Sequence, residues 1–248
     1  MIEVYYISII ILLSTLIYTS FIDLRERRVR FSYWYPLIIF GTISTLIYIA
    51  ENYTVFDLMT NVIIITTAVI FYASARLKIM GGADAWALIF ITIFGISIPF
   101  SSLLNNAHMG IGVSTYINAL IISFILYPMV NYFINLYNGV KGAPLYYMFF
   151  AQRYNSDVVL NKFGYIIPSY FYLNIKDFII QYKNTKKLLY TKNIKKEPLK
   201  YANEILSLKE RGVVWVFNAV PFIVYITLGF ITTILFGDVY NAIVGVLI

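Results

Sequence analysis

The stretch Met80-Gly81-Gly82-Ala83-Asp84-Ala85-Trp86 places a carboxylate directly behind two glycines, at the start of a long apolar run. No charged residue follows Asp84 until Lys141. An acidic side chain at the edge of such a run is costly to remove from water, and acids in these positions usually mark a functional site. Asp84 is therefore the first candidate for a residue that carries chemistry.

The composition indicates an integral membrane protein. Of the 248 residues, 60% are hydrophobic and 12% are charged, and the mean hydropathy is +0.76. Soluble domains carry about 25% charged residues. The absence of cysteine from the sequence excludes disulfides, thiol nucleophiles and cysteine-based zinc sites. The single histidine, His108, gives no basis for a histidine metal cluster, so we expect neither a metal nor a cofactor.

Six uncharged segments are of about the length that crosses a bilayer, for which about 20 residues are needed. They are Val4–Ile22, Phe31–Ala50, Leu58–Ala75, Ala85–Leu104, Val113–Leu136 and Val213–Phe236. The first lacks a preceding basic region and is long enough to span, so we expect a retained helix rather than a cleaved signal peptide. The predicted fold is an all-α membrane protein with six transmembrane helices and a cytoplasmic insertion between helices five and six.

The predicted domains follow from these spans. Residues 1–137 contain helices one to five, residues 138–212 form a basic insertion, and residues 213–248 contain helix six and a tail. The apolar patches of the insertion are each too short to span, so we expect surface segments or a small domain. The basic stretch Lys183–Lys200 is interpreted as a segment attracted to anionic lipid headgroups.

The basic residues all lie in alternate loops of this topology. Four are in residues 23–30, two in residues 76–84 and thirteen in residues 138–211, which accounts for all 19. The positive-inside rule places these three segments in the cytoplasm and both termini outside. The Arg25–Arg30 cluster is accordingly interpreted as a topology anchor, and nucleic acid is not expected as a partner.

The same topology brings Asp23 to the level of Asp84. Asp23 ends the first span on the cytoplasmic side, and Asp84 begins the fourth span, which leaves from that side. If helices one and four are neighbours, the two carboxyl groups can share one proton, so that one activates a water and the other donates to a carbonyl. This is the chemistry of an aspartic protease. Because Asp84 begins a helix, the helix dipole favours Asp84 as the ionised member.

Two of the three residues in the predicted active-site loop are glycine. Because glycine has no side chain, the backbone of this loop can approach a substrate closely and adopt φ angles that other residues avoid. The loop is Gly81, Gly82 and Ala83. Simpler interpretations remain open. The loop could be only a tight turn, and Asp84 could be a helix N-cap. Asp23 could form an interfacial ion pair with Arg25 or Arg27.

The chain resembles the archaeal preflagellin and prepilin peptidases, which belong to the GxGD intramembrane aspartic proteases. The similar stretches are Asp23-Leu24-Arg25-Glu26-Arg27-Arg28-Val29 after a first membrane helix and Gly81-Gly82-Ala83-Asp84 at the start of the fourth. The resemblance covers residues 1–137 and 213–236. It implies that Asp23 and Asp84 are catalytic. Ala83 stands at the second glycine of the motif, and Trp86 stands where the family often has lysine.

The resemblance implies a membrane-embedded aspartic endopeptidase that cleaves class III, type IV pilin-like, signal peptides at the cytoplasmic membrane face. Its expected partners are prepilins, pre-archaellins and substrate-binding protein precursors, such as sugar-binding proteins, together with membrane lipids. Two other functions stay open from the residues alone. One is a small proton-coupled transporter, since intramembrane carboxylates also relay protons. The other is an assembly subunit whose insertion binds a cytoplasmic partner.

Overall fold

The computed structural model describes residues 2–51, 58–95, 110–166, 189–198, 200–201, 205–206, 210 and 212–239. The far end of the predicted fourth span, His108, and residues 183–188 and 199 of the basic stretch Lys183–Lys200 lie outside these ranges. The described chain is mostly helical, as predicted. It divides into two compact units, Met1–Phe124 with Pro221–Ile248, and Ile125–Val220.

The described strands all come after helix α6 (Leu145–Phe150) in the chain. The first part contains α1 (Ile2–Glu26), a short 3-10 helix (Phe31–Trp34), α2 (Tyr35–Glu51), α3 (Leu58–Arg76), α4 (Gly82–Phe94) and α5 (Ile111–Tyr137). After them come α6 (Leu145–Phe150), β1 (Gln152–Asn155), α7 (Ser156–Val159), β2 (Gly164–Ile166), β3 (Leu189–Tyr190), α8 (Thr191–Lys196), β4 (Val213–Asn218) and α9 (Phe222–Phe236).

Two of these helices are long and apolar enough to cross a membrane, in the ranges Tyr6–Glu26 and Ile111–Tyr137. Shorter apolar helices cover Phe31–Ile47, Val62–Arg76, Gly82–Phe94 and Phe222–Phe236. Large apolar side chains such as Phe40 and Ile65 are exposed on α2 and α3, and such surfaces are suited to lipid. The mostly helical character is therefore confirmed and is consistent with a membrane protein, and the count of six spans stays a prediction.

Helix α4 is the most enclosed helix of the first unit. It contacts α1, α2, α3 and α9, and eight of its thirteen residues are buried. Leu88 and Ile91 have no exposed surface. A helix that is apolar all round is stable only where other helices or lipid surround it. Because Asp84 lies in the first turn of this helix, the packing of α4 sets the position of Asp84.

Small residues allow α5 and α9 to pack closely. A Cβ added to Gly229 of α9 would lie 2.5 Å from the Thr115 carbonyl oxygen and 2.7 Å from the Ala119 nitrogen. Such contacts are typical of membrane helices, where close packing of small residues drives association. Asn118 also donates through Nδ2 to the Thr233 hydroxyl at 2.9 Å. The two helices are thus joined by backbone packing and by a buried hydrogen bond.

The second unit contains an antiparallel sheet of four strands in the order β1-β4-β2-β3. The all-α prediction lacked this sheet. Along β4, Val214 and Val216 pack in one cluster with Ile194, whereas Trp215 packs in another with Tyr147. This alternation is that of a strand covered on both faces, and β-branched and aromatic residues favour strands.

The position of β4 corrects the predicted sixth helix. The apolar run Val213–Phe236 predicts one span, but Val213–Asn218 form a strand and α9 begins at Phe222. Hydropathy alone cannot separate a buried strand from a spanning helix, because both are continuously apolar. Pro221 precedes the first turn as the N-cap, in the region of a helix where a missing N–H costs least.

Replacing Gly229 with alanine is expected to destabilise the first unit by about 1–3 kcal/mol, because the new methyl group would press on the α5 backbone. Leu228→Ala is the control, since Leu228 is partly exposed on the same helix and exposed changes usually cost less than about 0.5 kcal/mol. Unfolding of the purified protein in detergent would measure both. Equal stability of the two variants would contradict the close packing.

Candidate active site

Asp23 lies in the last turn of α1 and is half-buried. Its carboxylate accepts a hydrogen bond from the backbone N–H of Ile223, the second residue of α9. The first N–H groups of a helix have no partner within that helix, and the positive end of the helix dipole lies there. The Asp23 carboxylate of α1 therefore caps α9, in a place that favours a negative charge.

Buried hydroxyl groups hold α1 against α9 close to Asp23. The Ser20 Oγ and Thr227 Oγ1 atoms are 2.7 Å apart, and either can be the donor. The Ile223 carbonyl lies 3.3 Å from the Ser20 hydroxyl and the Leu16 carbonyl lies 3.3 Å from the Thr227 hydroxyl, so the hydroxyl that accepts in this pair has a carbonyl to which it can donate. Buried hydroxyls are costly when unpaired. These contacts therefore favour one register of α1 on α9, and that register brings Asp23 to Ile223.

Asp84 occupies the third position of α4, and the N-cap of this helix is Gly81. The Asp84 carboxylate accepts a hydrogen bond from the Gly81 backbone N–H. This is the return bond of a capping box, in which an acidic residue at the third position satisfies the N–H of the N-cap. The interpretation of Asp84 as the N-cap is therefore wrong in detail. Gly81 is the N-cap, and the Asp84 side chain accepts a hydrogen bond from its N–H.

The two glycines before Asp84 have different surroundings. Gly81 has φ −63° and ψ 140°, which any residue can adopt, so the expected need for unusual backbone angles is wrong at this position. A Cβ on Gly81 would instead collide with the Asp84 Oδ2 atom. A Cβ on Gly82 would meet nothing within 4 Å. A side chain at position 81 would thus displace the Asp84 carboxylate from its place.

The fold brings the two aspartates to one place. Helix α4 contacts both α1 and α9, and the charge of Asp23 acts on the Asp84 carboxyl group. Both aspartates are half-buried, whereas Gly81 and Gly82 beside them are exposed. Two neighbouring carboxyl groups with little solvent do not both ionise easily, so such a pair tends to hold one proton.

The arginines after α1 are not equivalent. Arg27 is half-buried, and Arg25, Arg28 and Arg30 are exposed. The charge of Arg27 acts on Asp23, and its backbone N–H donates to the Asp23 carbonyl at 3.0 Å. Of the two arginines considered as electrostatic partners of Asp23, the structure therefore favours Arg27 over Arg25.

Aromatic rings cover one side of the first turns of α4. Trp86, Phe90 and Phe94 follow at a spacing of four residues and stack, with ring centroids 5.6 and 5.8 Å apart. Phe31 of the 3-10 helix meets Trp86 edge-on at 5.0 Å, and Tyr72 of α3 meets it at 6.5 Å. These rings join the loop after α1 to the helix that carries Asp84. Their four-residue spacing is the signal from which the sequence could have predicted the stack.

Ile223 is the site residue that the sequence interpretation missed, and it contributes through its backbone. A backbone donor has no signature of its own, and the predicted sixth span places Ile223 inside a helix, where its N–H would already be bonded. Pro221 was the available signal for a helix start. In the described part of the chain, no three His, Asp or Glu side chains come together as a metal site would require.

Two sequence families match the chain. Residues 10–130 match the type IV leader peptidase family, and residues 143–239 match the archaeal Peptidase A24 C-terminus, type II. The first range contains Asp23 and Asp84, and the second contains Ile223. The second range also covers the insertion, which the resemblance seen in the sequence had left out. Among curated proteins, no sequence match is significant.

The protein is therefore a membrane-associated peptidase of the aspartic type. More narrowly, the chain belongs to the archaeal prepilin and preflagellin peptidases of the type IV leader peptidase family, whose reaction is the cleavage of signal peptides. This membership sets aside the alternatives of a proton-coupled transporter and an assembly subunit.

Gly81→Ala is expected to lower peptidase activity by at least 10-fold, on the order of the losses caused by misplacing a reacting group, because the new Cβ displaces the Asp84 carboxylate. Gly82→Ala is the matched control. Its Cβ meets open space, and alanine stabilises helices by roughly 0.5–1 kcal/mol relative to glycine. Precursor cleavage by each purified variant would be followed over time. Similar losses in both variants would contradict the role of the close approach.

Proposed function

We propose that this peptidase removes class III signal peptides at the cytoplasmic face of the membrane, with Asp23 and Asp84 as its catalytic residues. Its substrates are prepilins, pre-archaellins and substrate-binding protein precursors, including those of sugar-binding proteins. The observation that carries the proposal is the electrostatic coupling of two half-buried carboxyl groups on contacting helices, within the range that matches the peptidase family.

Within the pair, the surroundings favour Asp23 as the ionised member. Each carboxylate accepts a hydrogen bond from an N–H at a helix N-terminus, so the helix dipole acts on both. Asp23 has in addition the positive charge of Arg27 nearby, and a cation favours the charged form of a carboxyl group. This assignment replaces the expectation from the sequence, which considered only the helix that begins at Asp84.

The proposed reaction has two steps, formation and breakdown of a diol, and each step needs two proton transfers. Asp23 takes a proton from a water, whose oxygen bonds to the carbonyl carbon, while Asp84 gives its proton to the carbonyl oxygen. In the resulting diol, the bond from carbon to nitrogen then breaks. Asp23 returns its proton to the leaving nitrogen, and Asp84 recovers a proton from a diol hydroxyl. The chemistry requires neither a metal nor a cofactor.

The substrate is expected to enter as an extended segment. A peptide bond inside a helix is surrounded by its own turns, whereas an extended bond is open to attack from both sides. Gly81 and Gly82 are exposed beside the pair, and without side chains they leave room for a peptide backbone. The basic loops near the site face the cytoplasm in the proposed topology, where they also contact anionic lipid headgroups.

Replacing either aspartate with asparagine is expected to abolish precursor cleavage. Asparagine keeps the size of the side chain but can neither take nor supply a proton in this role. The experiment co-expresses a prepilin or pre-archaellin with each variant and measures the mass of the precursor. A precursor still shortened by both Asp23→Asn and Asp84→Asn would contradict the catalytic pair. Asp157→Asn, in the second unit, is the control and should leave cleavage unchanged.

The topology predicts opposite labelling at two positions. The sequence has no cysteine, so each single-cysteine variant gives an unambiguous signal. Lys195→Cys, at an exposed position of the insertion, should react with a membrane-impermeant maleimide only after the cells are opened. His108→Cys, in a loop predicted to lie outside, should react in intact cells. Labelling of Lys195→Cys in intact cells would contradict the cytoplasmic placement.

A further inference from the structure

The backbone of Arg27 has an unusual conformation. Arg27 follows the last residue of α1 and has φ 52°, in the left-handed region. Helices often end with such a residue, but it is usually glycine, since a Cβ is disfavoured there. The Arg27 N–H donates to the Asp23 carbonyl at 3.0 Å, which is the hydrogen bond of this type of helix end. A residue in a conformation that is disfavoured for arginine is therefore hydrogen-bonded to the backbone of Asp23.

The side chain of Arg27 is also unusual. Its Nη1 atom is buried and has no hydrogen-bond partner within the described part of the chain. A guanidinium group has five N–H donors in a fixed plane, and leaving a buried donor unpaired costs free energy. The other arginines of the same loop, which are Arg25, Arg28 and Arg30, are exposed to solvent, whereas Arg27 is half-buried. A side chain that serves only as a topology anchor needs neither feature.

We propose that Arg27 is a positioning residue of the aspartate site, and that its Nη1 donates a hydrogen bond to a main-chain carbonyl of the leader peptide. The inference rests on the proposed function, because it takes Asp23 to act on a peptide bond. The hydrogen bond from the Arg27 N–H to the Asp23 carbonyl fixes the backbone position from which the Arg27 side chain extends. A bound extended peptide then supplies the acceptor that Nη1 lacks.

A main-chain carbonyl is the acceptor to which the geometry points. Carbonyl groups are present around the scissile bond of any leader, whatever its side chains. An acidic side chain would also be attracted to the exposed arginines of the loop, so it would not select the buried Nη1 atom. Arg27 therefore acts on the peptide backbone and on Asp23, and its contribution does not depend on the sequence of the leader.

The charge of Arg27 also predicts a change in pH dependence. The charged neighbour of Asp23 from α4 is Asp84, and α9 presents the Ile223 N–H without an acidic residue in its first turn. The 3-10 helix has no charged residue, and α2 has its charge at Glu51, its far end. Removing the Arg27 cation makes ionised Asp23 less favourable. The acid limb of the activity profile then moves to higher pH.

Two substitutions distinguish the effect of the backbone conformation of Arg27 from the effect of its side chain. Arg27→Gly supplies the residue that the left-handed conformation prefers and removes the guanidinium group. Arg27→Lys keeps the positive charge but removes the planar set of donors. Arg28→Gln is the control, because Arg28 is exposed in the same loop. Each purified variant would be assayed in liposomes with a precursor, for cleavage rate, KM, pH profile and unfolding temperature.

Arg27→Gly should unfold at the same temperature as the parent protein or higher, and it should cleave roughly 10- to 100-fold more slowly. The acid limb of its pH–activity profile should lie at higher pH than that of the parent protein. Arg27→Lys should keep the acid limb of the parent protein and show a raised KM, and Arg28→Gln should cleave at the parent rate. Together these results would support a side chain that positions the substrate and favours ionised Asp23.

Parent-like cleavage by Arg27→Gly would overturn the inference, and so would an equal loss of rate in Arg28→Gln. A slower Arg27→Gly variant with a lowered unfolding temperature and an unchanged pH profile would show a purely structural role and would also overturn it. The aspartate variants are assayed in parallel. If both are inactive while Arg27→Gly is fully active, the inference about Arg27 fails and the proposed function stands. If both remain active, the proposed function itself fails.

Discussion

The hydrogen bond from the Ile223 N–H to the Asp23 carboxylate is the contact on which the arrangement of the site depends. It joins the end of α1 to the beginning of α9, and it satisfies a backbone donor that α9 cannot pair within itself. The buried hydroxyls of Ser20 and Thr227 support the same register of the two helices. Since α4 packs against both α1 and α9, the position of Asp84 follows from the same packing. The N-terminus of α9 thus both contacts the end of α1 and provides the electrostatic environment of the Asp23 carboxylate.

The two aspartates have similar local contacts but different surroundings. Each binds an N–H at a helix N-terminus, so this contact alone does not distinguish them. The difference comes from the residues around them, because Arg27 lies near Asp23 and Gly81 leaves room for the Asp84 carboxylate. Environments that differ in this way are how paired carboxyl groups divide the roles of acid and base. The aromatic stack on α4 contacts Phe31 and so joins the 3-10 helix after α1 to the helix that carries Asp84.

Much of the site could be predicted from the sequence, because it depends on charge in an apolar chain. Asp23 and Asp84 stood out as acids at the ends of long uncharged runs, and the distribution of basic residues predicts that both lie on one side of the membrane. The helices of the first unit follow from the same runs. The sheet of the second unit could not be predicted in this way. Val213–Asn218 are as apolar as a span, and only their pairing with β1 and β2 makes them a strand.

The sequence by itself determined the class of the protein, its helical character and the two acidic residues, since each of these rests on hydropathy, charge and short local motifs. The tertiary structure alone decided what surrounds those residues. It begins α9 at Phe222 and so brings a backbone donor to Asp23, and it leaves an atom of Arg27 buried without a partner among the residues that the structure describes. The physical reason is that hydrogen bonds between distant segments depend on where helices end and how they pack. A linear pattern of residue types carries neither of these.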